Sequence, residues 1–272
     1  MLWWPSCGSA QTSEARLPWW VRAVLLIAAA QALLLIAALV DPAQVKLLVP
    51  WPASPLNARF IAVLYVSLGS GVLIAAFART FLEVRIVLFG IGMATVVLLI
   101  LTLVRMAAHP GELANFPLFW TLFYVIDPLL VGLVFWRLGR HSAAGTRWRP
   151  ASWLWVTQAV LFAVAGLVLL FAPDAARGLW PWAITEPQAQ IYSAFFLTLG
   201  ATSVLAAREE RWEAVRIVTA MVVLLSVLVL VVSVVHLQRF TRPVATTTWF
   251  AAFAVETLAF GGLFVKEAMR RT

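Results

Sequence analysis

The chain has 272 residues, of which 63% are hydrophobic and 12% are charged, and its net charge is +8. An average soluble domain carries about 25% charged residues, so this composition excludes an ordinary soluble globular protein. The single cysteine, Cys7, excludes an intrachain disulfide and a paired-thiol metal site.

Eight apolar runs follow one another along the chain. Each is long enough to cross the hydrocarbon core of a bilayer as a helix with a rise of about 1.5 Å per residue. The runs are continuous rather than alternating, which disfavours the strands of a membrane barrel. The sequence therefore predicts an all-α membrane protein with eight transmembrane helices. The predicted spans cover residues 19–40, 60–78, 84–106, 117–136, 151–172, 190–207, 214–236 and 245–265.

Membrane topology explains the positive charge. An even number of spans puts both termini on one side, and 14 of the 20 Arg and Lys residues fall on that side. The positive-inside rule places it in the cytoplasm, so nucleic-acid binding is not needed to explain the charge. Abundant Arg and Ala beside scarce Lys indicate a GC-rich bacterial source. The expected location is the bacterial cytoplasmic (inner) membrane.

An internal repeat relates the first four spans to the last four. At an offset of 131 residues Gly69 matches Gly200 and Arg85 matches Arg216, and the offset falls to 129 at the last span. Four spans per unit insert both units the same way up, related by an approximate two-fold axis along the membrane normal. The predicted organisation is a flexible cytoplasmic N-terminus (1–18), a first four-helix unit (19–138), a cytoplasmic linker (139–150), a second four-helix unit (151–266) and a cytoplasmic tail (267–272).

Short motifs in and after the first long loop accompany these duplicated units. They are Pro50, Trp51 and Pro52, followed by Asn57, Ala58 and Arg59. Together with the Trp–Pro turns and the duplicated four-span units, they resemble uncharacterised multi-pass bacterial membrane proteins. The resemblance implies no activity, substrate or cofactor.

The longest loops, residues 41–59 and 173–190, are rich in Pro and Trp. Residues 42–48 and Pro173–Leu179 are each predicted to form a short helix that starts at its proline. Trp51, Trp180 and Trp182 suit the headgroup region, where an indole ring keeps one side apolar and one side hydrogen bonded. Interfacial anchoring is favoured over the alternative, a lid above an entrance.

Small residues recur every fourth position on the second and sixth spans. This spacing lets helix backbones approach closely in lipid, so these positions are predicted helix-packing surfaces, with a pore lining as the alternative. The positions are Ser67, Gly71 and Ala75 on the second span and Thr198, Thr202 and Ala206 on the sixth.

Two matched arginines, Arg85 and Arg216, begin the third and seventh spans at the cytoplasmic side. They are predicted to reach lipid phosphates, with cation–π contact to the aromatic residue four positions earlier as the alternative. The nearby charged residues 209–213 are predicted to form a solvated cluster.

Two carboxyl groups, Asp127 and Glu256, lie near the middle of the fourth and eighth spans at matched positions. A charge there costs about 2.5–3.5 kcal/mol even on the lenient insertion scale, so each should face the bundle interior or a wet cavity. One interpretation is that they bind and release a proton or cation during transport. The other is that they are protonated groups that hydrogen-bond neighbouring helices.

The neighbours of the two acids differ. Trp120 and Tyr124 share a helix face with Asp127, and Trp249 shares one with Glu256. Tyr124 offers a phenol to its acid, whereas Phe253 at the matched position offers none, so Glu256 needs another partner. Pro128 is predicted to kink the fourth span beside its acid, because proline removes an intrahelical bond and clashes with the preceding turn.

Chemistry beyond these acids has little support. His109, His141 and His236 show no metal-site spacing and no matched pair for a haem, and no phosphate loop, nucleophile–base pattern or zinc motif is present. We therefore predict no catalytic residue, metal or cofactor, and an intramembrane lipid-modifying enzyme ranks third. The first hypothesis is transport of a small solute or ion, with proton coupling through the intramembrane acids. The alternative is an accessory or scaffold subunit that binds membrane-protein partners or forms a homo-oligomer.

Overall fold

The structure is a computed structural model that describes residues 16–44, 53–108, 118–139 and 151–270. In these residues eight helices are long and apolar enough to cross a membrane, which confirms the predicted all-helical class and the number of spans. The regular structure here is helical, apart from one isolated bridge between Arg16 and Thr80. Spans 1 to 8 are Trp19–Leu33 continued by Ile36–Val40, Pro55–Ala76, Phe81–Ala108, Leu118–Leu138, Ser152–Phe171, Glu186–Ala207, Trp212–Val235 and Pro243–Met269.

Spans 2 and 6 begin about one turn before the hydropathy pattern predicts. Each starts at a polar cap. The Ser54 hydroxyl accepts from the backbone N–H of Asn57, and the Thr185 hydroxyl accepts from the backbone N–H of Gln188. The Gln188 side chain in turn accepts from the Thr185 N–H at 2.9 Å, which completes a capping box. The caps extend both helices into polar sequence that a hydropathy window leaves out.

The spans pack in a regular order. Span 1 packs on span 2 and span 5 on span 6, while span 3 packs on span 4 and span 7 on span 8. Between these pairs, span 2 packs on span 7, span 3 on span 6, and span 3 on span 7. Spans 2 and 6 bury 72% of their apolar windows, against 17% for spans 4 and 8. Spans 2, 3, 6 and 7 therefore form the centre of the bundle, and the other four surround it.

Two glycines, Gly69 and Gly200, allow close contacts between helices. A Cβ atom on Gly69 would lie 2.8 Å from the Cβ of Ala32, and one on Gly200 would lie 3.0 Å from the backbone nitrogen of Ala163. Both distances are too short for ordinary contact. Glycine is thus required where span 2 meets span 1 and where span 6 meets span 5, as expected of small residues at helix crossings.

The bundle has two ends that bear on function. We call the end with Leu39, Asn57, Trp182 and His236 the loop end, and the opposite one, with Glu83, the terminus end. At the terminus end, the segment before span 1 pairs with the turn between spans 2 and 3, where the Leu17 N–H donates to the Arg79 carbonyl at 2.9 Å.

The long loop at the loop end folds inward. Its helix Pro173–Leu179 begins at the proline, as predicted, whereas the first loop shows a 3₁₀ turn at Pro42–Gln44 and its continuation lies outside the described residues. Trp180 and Trp182 are only 8% and 2% exposed. The prediction that these two indoles anchor the chain at the headgroups is wrong, because they pack inside the protein against other aromatic rings. Trp51 lies outside the described residues.

Candidate functional site

Glu256 reaches the bundle through a chain of polar side chains. The Gln158 amide nitrogen, on span 5, donates to the Glu256 carboxyl at 2.6 Å. The Ser203 hydroxyl, on span 6, donates to the Gln158 carbonyl oxygen at 3.0 Å. Gln158 and Ser203 are almost fully buried. The partner that the sequence required for Glu256 is therefore an amide on another helix, and the chain joins three spans.

Asp127 is 9% exposed on span 4. One turn before it, the Tyr124 hydroxyl lies 2.8 Å from that of Tyr65 on span 2, in a hydrogen bond that either phenol can donate. Trp120 packs against the Tyr65 ring with 5.6 Å between centroids. The phenol that shares the face of Asp127 is thus bonded to another helix. The phenol one turn before Asp127 therefore bonds to span 2, whereas Glu256 bonds to span 5 and, through Gln158, is linked to span 6.

The residues after the two acids differ as the sequence indicates. Span 4 continues as a helix through Pro128 to Leu138, and the kink stays a prediction. At the matched position of span 8, the Thr257 hydroxyl lies 2.8 Å from the Phe253 carbonyl, the group four residues earlier that a proline would displace. The helix backbone beside the two acids is therefore not equivalent.

Trp249 belongs to an aromatic cluster at the loop end. Its indole N–H donates to the Ser233 hydroxyl at 3.0 Å, and its ring lies 5.2 Å from Trp180 and 5.0 Å from Trp182. The ring of Phe60, on span 2, lies in the same group, 5.6 Å from Trp249. Trp249 therefore fixes span 8 to the long loop and to span 2, two turns away from Glu256.

A buried amide lies beside this aromatic cluster. Asn57 is 3% exposed, and its carbonyl oxygen accepts from the Trp182 indole at 2.6 Å and from the Tyr192 hydroxyl at 3.0 Å. Its amide nitrogen donates to the Gln188 carbonyl oxygen at 3.0 Å and to the Ala183 backbone carbonyl at 3.3 Å. These four bonds fill the hydrogen-bonding capacity of the amide. We call Asn57 and these four partners the loop-end lock.

Two ion pairs lie at the terminus end. Arg85 pairs with Glu209, and Arg216 pairs with Glu83. The second Glu83 oxygen accepts from the Thr80 backbone N–H at 3.0 Å, so the carboxylate also caps span 3. The prediction that Arg85 reaches lipid phosphates is wrong, and so is the prediction of a solvated Glu209, since both side chains are largely buried in their ion pair. Arg216 is half exposed, so its contact with lipid phosphates stays a prediction. We call these two ion pairs the terminus-end lock.

The predicted small-residue positions lie between the central spans. A Cβ on Gly71 would overlap the side chain of Met221 on span 7. On the other side, Gly90 of span 3 would meet Thr202 at 3.2 Å and Thr198 at 3.8 Å. In the contact between spans 2 and 7 the glycine is on span 2, whereas in the contact between spans 3 and 6 it is on span 3 and the larger side chains are on span 6. Ala75 and Ala206 are fully buried further along the same spans.

Ser67 lies in a small apolar pocket between spans 2, 6 and 7. Its hydroxyl is buried without a hydrogen-bond partner among the described residues. The pocket is at the lower size limit for one water molecule, and neither Asp127 nor Glu256 lines it. The pocket therefore does not connect the intramembrane acids.

His236 follows the end of span 7 and contacts Arg59. An Arg59 guanidinium nitrogen lies 2.8 Å from the His236 Nε2, while other guanidinium nitrogens donate to the Leu39 and Val40 carbonyls. Burial, together with the charges of Arg59 and Arg239, lowers the pKa of His236 below its ordinary value. The neutral ring with Nε2 as acceptor suits this contact. His109 and His141 lie outside the described residues.

Within the described ranges no group of three or more His, Cys, Asp and Glu side chains could hold a metal ion. Comparison of the chain with protein-family models, with curated proteins and with solved structures finds no match. The argument for function therefore rests on the chain's own geometry.

Sequence reasoning missed Asn57 and Glu83 as structural centres. Both carry a signal in the form of a cap: Ser54 precedes Asn57 by three residues, and Thr80 precedes Glu83 by three. The amide of Asn57 also matches that of Gln188 at the 131-residue offset. The combination of a capped helix start with an amide at matched positions of the repeat is the sequence signal that points to the loop-end lock.

Proposed function

We propose that the chain is a multi-pass membrane protein in which two four-span units transport a proton, or a small solute coupled to protons, through intramembrane carboxyl groups. The observation that carries this proposal is the hydrogen bond from Gln158 to Glu256, which continues to Ser203. It ties an ionisable group of an outer span to two buried polar side chains of spans 5 and 6.

The nature of the partner supports proton exchange. A Lys or Arg partner would hold a carboxylate charged, because an opposite charge favours the ionised form. The amide of Gln158 can instead serve either form, since its nitrogen donates and its oxygen accepts. An ionisable residue inside a membrane is costly and is taken as a functional site by default. An apolar residue at position 256 would fill the space without that cost.

Matched contacts support the duplicated organisation of the proposal. Gly69 meets Ala32 as Gly200 meets Ala163. Gly69 corresponds to Gly200, and Ala32 to Ala163, at the 131-residue offset. The order of helix packing is matched in the same way, since span 2 packs on span 7 as span 6 packs on span 3. Such an arrangement fits two units with the same orientation about an axis through the bundle.

The test is proton flux in liposomes that contain the purified protein and a pH-sensitive dye. With an imposed membrane potential, we expect the wild-type protein to dissipate a pH gradient and Glu256→Gln to lower the rate at least tenfold. Asp127→Asn is expected to lower it as well. Glu267→Gln is the matched control, because Glu267 pairs with Arg270 near the chain end and outside the polar chain. Unchanged flux in both intramembrane variants would refute the transport role.

An accessory or scaffold role is the second candidate. Spans 4 and 8 leave most of their surface outside the bundle, and a Cβ on Gly132 or on Gly261 would meet no atom within 4 Å. Open glycines on outer spans suit close packing with another helix in lipid. Native mass spectrometry from nanodiscs tests this candidate: a complex that Gly132→Leu with Gly261→Leu dissociates would support it, and a monomer would refute self-association.

A further inference from the structure

The two locks share an unusual property. Asn57 and Gln188 are separated by 131 residues, the repeat offset, and their side chains bond to each other directly. Arg85 and Arg216 are separated by the same offset, and each pairs with an acid from the other four-span unit. Residues at matched positions can meet each other only near the axis that relates the two units. The bond between Asn57 and Gln188 therefore lies near that axis. Among the described residues the polar contacts between the units, that of Arg59 with His236 included, lie at the two ends of the bundle.

The middle of the same interface is different in chemistry. Between the two locks, spans 2 and 7 meet through Gly71 and Met221, and spans 3 and 6 meet through Gly90 and Thr202. The small pocket that contains the unpartnered Ser67 hydroxyl lies in this region, and its other lining side chains are apolar. The interface is thus polar at both ends and apolar, with close helix contact, at its centre.

This distribution decides which movement is least costly. When a polar lock opens toward water, its groups exchange protein hydrogen bonds for bonds to water, so the net loss is small. Separation of the apolar centre has no such compensation, because its van der Waals contacts are not replaced. Opening at one end about the packed centre is therefore favoured over separation of the units along their whole length.

We propose that the loop-end lock and the terminus-end lock are two gates that open alternately, so that the four-span units tilt about the contact between Gly71 and Met221. The structure is the state in which both gates are closed. This inference rests on the transport function proposed above, and it identifies the interface between the units as the path, with Ser67 at its midpoint. Asp127 and Glu256 lie on outer spans that pack on spans 3 and 7, respectively, which form part of this interface.

Distances between spin labels in nanodiscs test the inference without any measurement of flux. In a Cys7→Ser background, the exposed pair Pro55→Cys with Glu186→Cys reports on the loop end, and Arg79→Cys with Glu210→Cys reports on the terminus end. Each pair joins matched positions of the two units. Val40→Cys with Pro55→Cys, two exposed positions in one unit, is the control and should keep a fixed distance.

Removal of one lock should lengthen the distance at that end and leave the distance at the other end short. Asn57→Leu is expected to raise the population with a long loop-end distance about fivefold or more, while the terminus-end distance stays short. Glu83→Gln with Glu209→Gln should give the reverse. Gln188→Leu is a second loop-end variant in case Asn57→Leu does not fold, because it leaves the bonds from Trp182 and Tyr192 to Asn57 in place.

The outcomes separate this inference from the transport proposal. A lengthening confined to the end whose lock was removed supports alternating gates, whether or not protons cross the membrane. If the distance at the end whose lock was removed stays unchanged, the inference is overturned, even if flux through Glu256 is found. A lengthening of both distances together would also overturn it, since the locks would then hold the bundle together without controlling access.

Discussion

Replacement of Asn57 by leucine tests how strongly the loop-end lock holds the bundle. The leucine has a similar volume but leaves the Trp182 indole N–H and the Tyr192 hydroxyl without the acceptor that each now has. It also removes the donor to the Ala183 carbonyl. A buried donor without a partner costs about 1–3 kcal/mol. Two such donors predict a loss of about 2–6 kcal/mol in the free energy of unfolding.

The measurement is unfolding in mixed micelles, followed by tryptophan fluorescence and helix content. Gln238→Leu is the matched control, because it removes an exposed amide at the same end and should change stability by less than about 0.5 kcal/mol. A cycle with Trp182→Phe isolates the indole bond: Asn57→Leu should cost less in that background, with a coupling of about 1–2 kcal/mol. A cost below about 0.5 kcal/mol for Asn57→Leu, or no coupling, would refute the reasoning.

Two further predictions concern the central interface and the loop end. Gly71→Thr should destabilise the protein by about 1–3 kcal/mol, since its side chain overlaps Met221. Met221→Ala should restore most of the loss in the double variant, as measured by the same unfolding assay, and an additive loss would show that the two side chains do not meet. For His236, the pKa in the folded state lies below the ordinary value of 6.5. The stability that its neutral ring contributes is therefore present above about pH 6.5 and is lost as the pH falls through the lowered native value. We expect the melting temperature of the wild-type protein to fall more between pH 7.5 and pH 5 than that of His236→Gln, whose amide can accept from Arg59 without titrating. Equal falls in the two proteins would contradict the assigned contact.

The number of spans and their order followed from composition, because an apolar run of sufficient length has one stable conformation in lipid. The starts of spans 2 and 6 did not follow, because Asn57 and Gln188 are polar and a hydropathy window excludes them. Their caps decide the helix start locally. A search for Ser or Thr three residues before an amide or acid would have corrected both boundaries and singled out Glu83.

The partners of the candidate site residues could not be read from the sequence. Gln158 lies 98 residues before Glu256, and Glu209 lies 124 residues after Arg85. Such contacts depend on which helices become neighbours, and hydropathy does not determine that. For the same reason the sequence does not reveal that the indoles of Trp180 and Trp182 are buried. An amphipathic ring fits an interface or a buried hydrogen bond equally well, and only the approach of span 2 decides between them.

The interleaved packing of the spans has a consequence for biosynthesis. Span 3 contacts span 6, and Arg85 receives its carboxylate partner from Glu209. When the ribosome has completed the first four spans, these helices are inserted with Arg85 still unpaired and the inner faces of spans 2 and 3 in lipid. The bundle can reach its final arrangement only after span 7 enters the membrane. The interval between insertion of the first four spans and arrival of span 7 is therefore the stage at which a chaperone or a membrane protease can act on the unfinished chain.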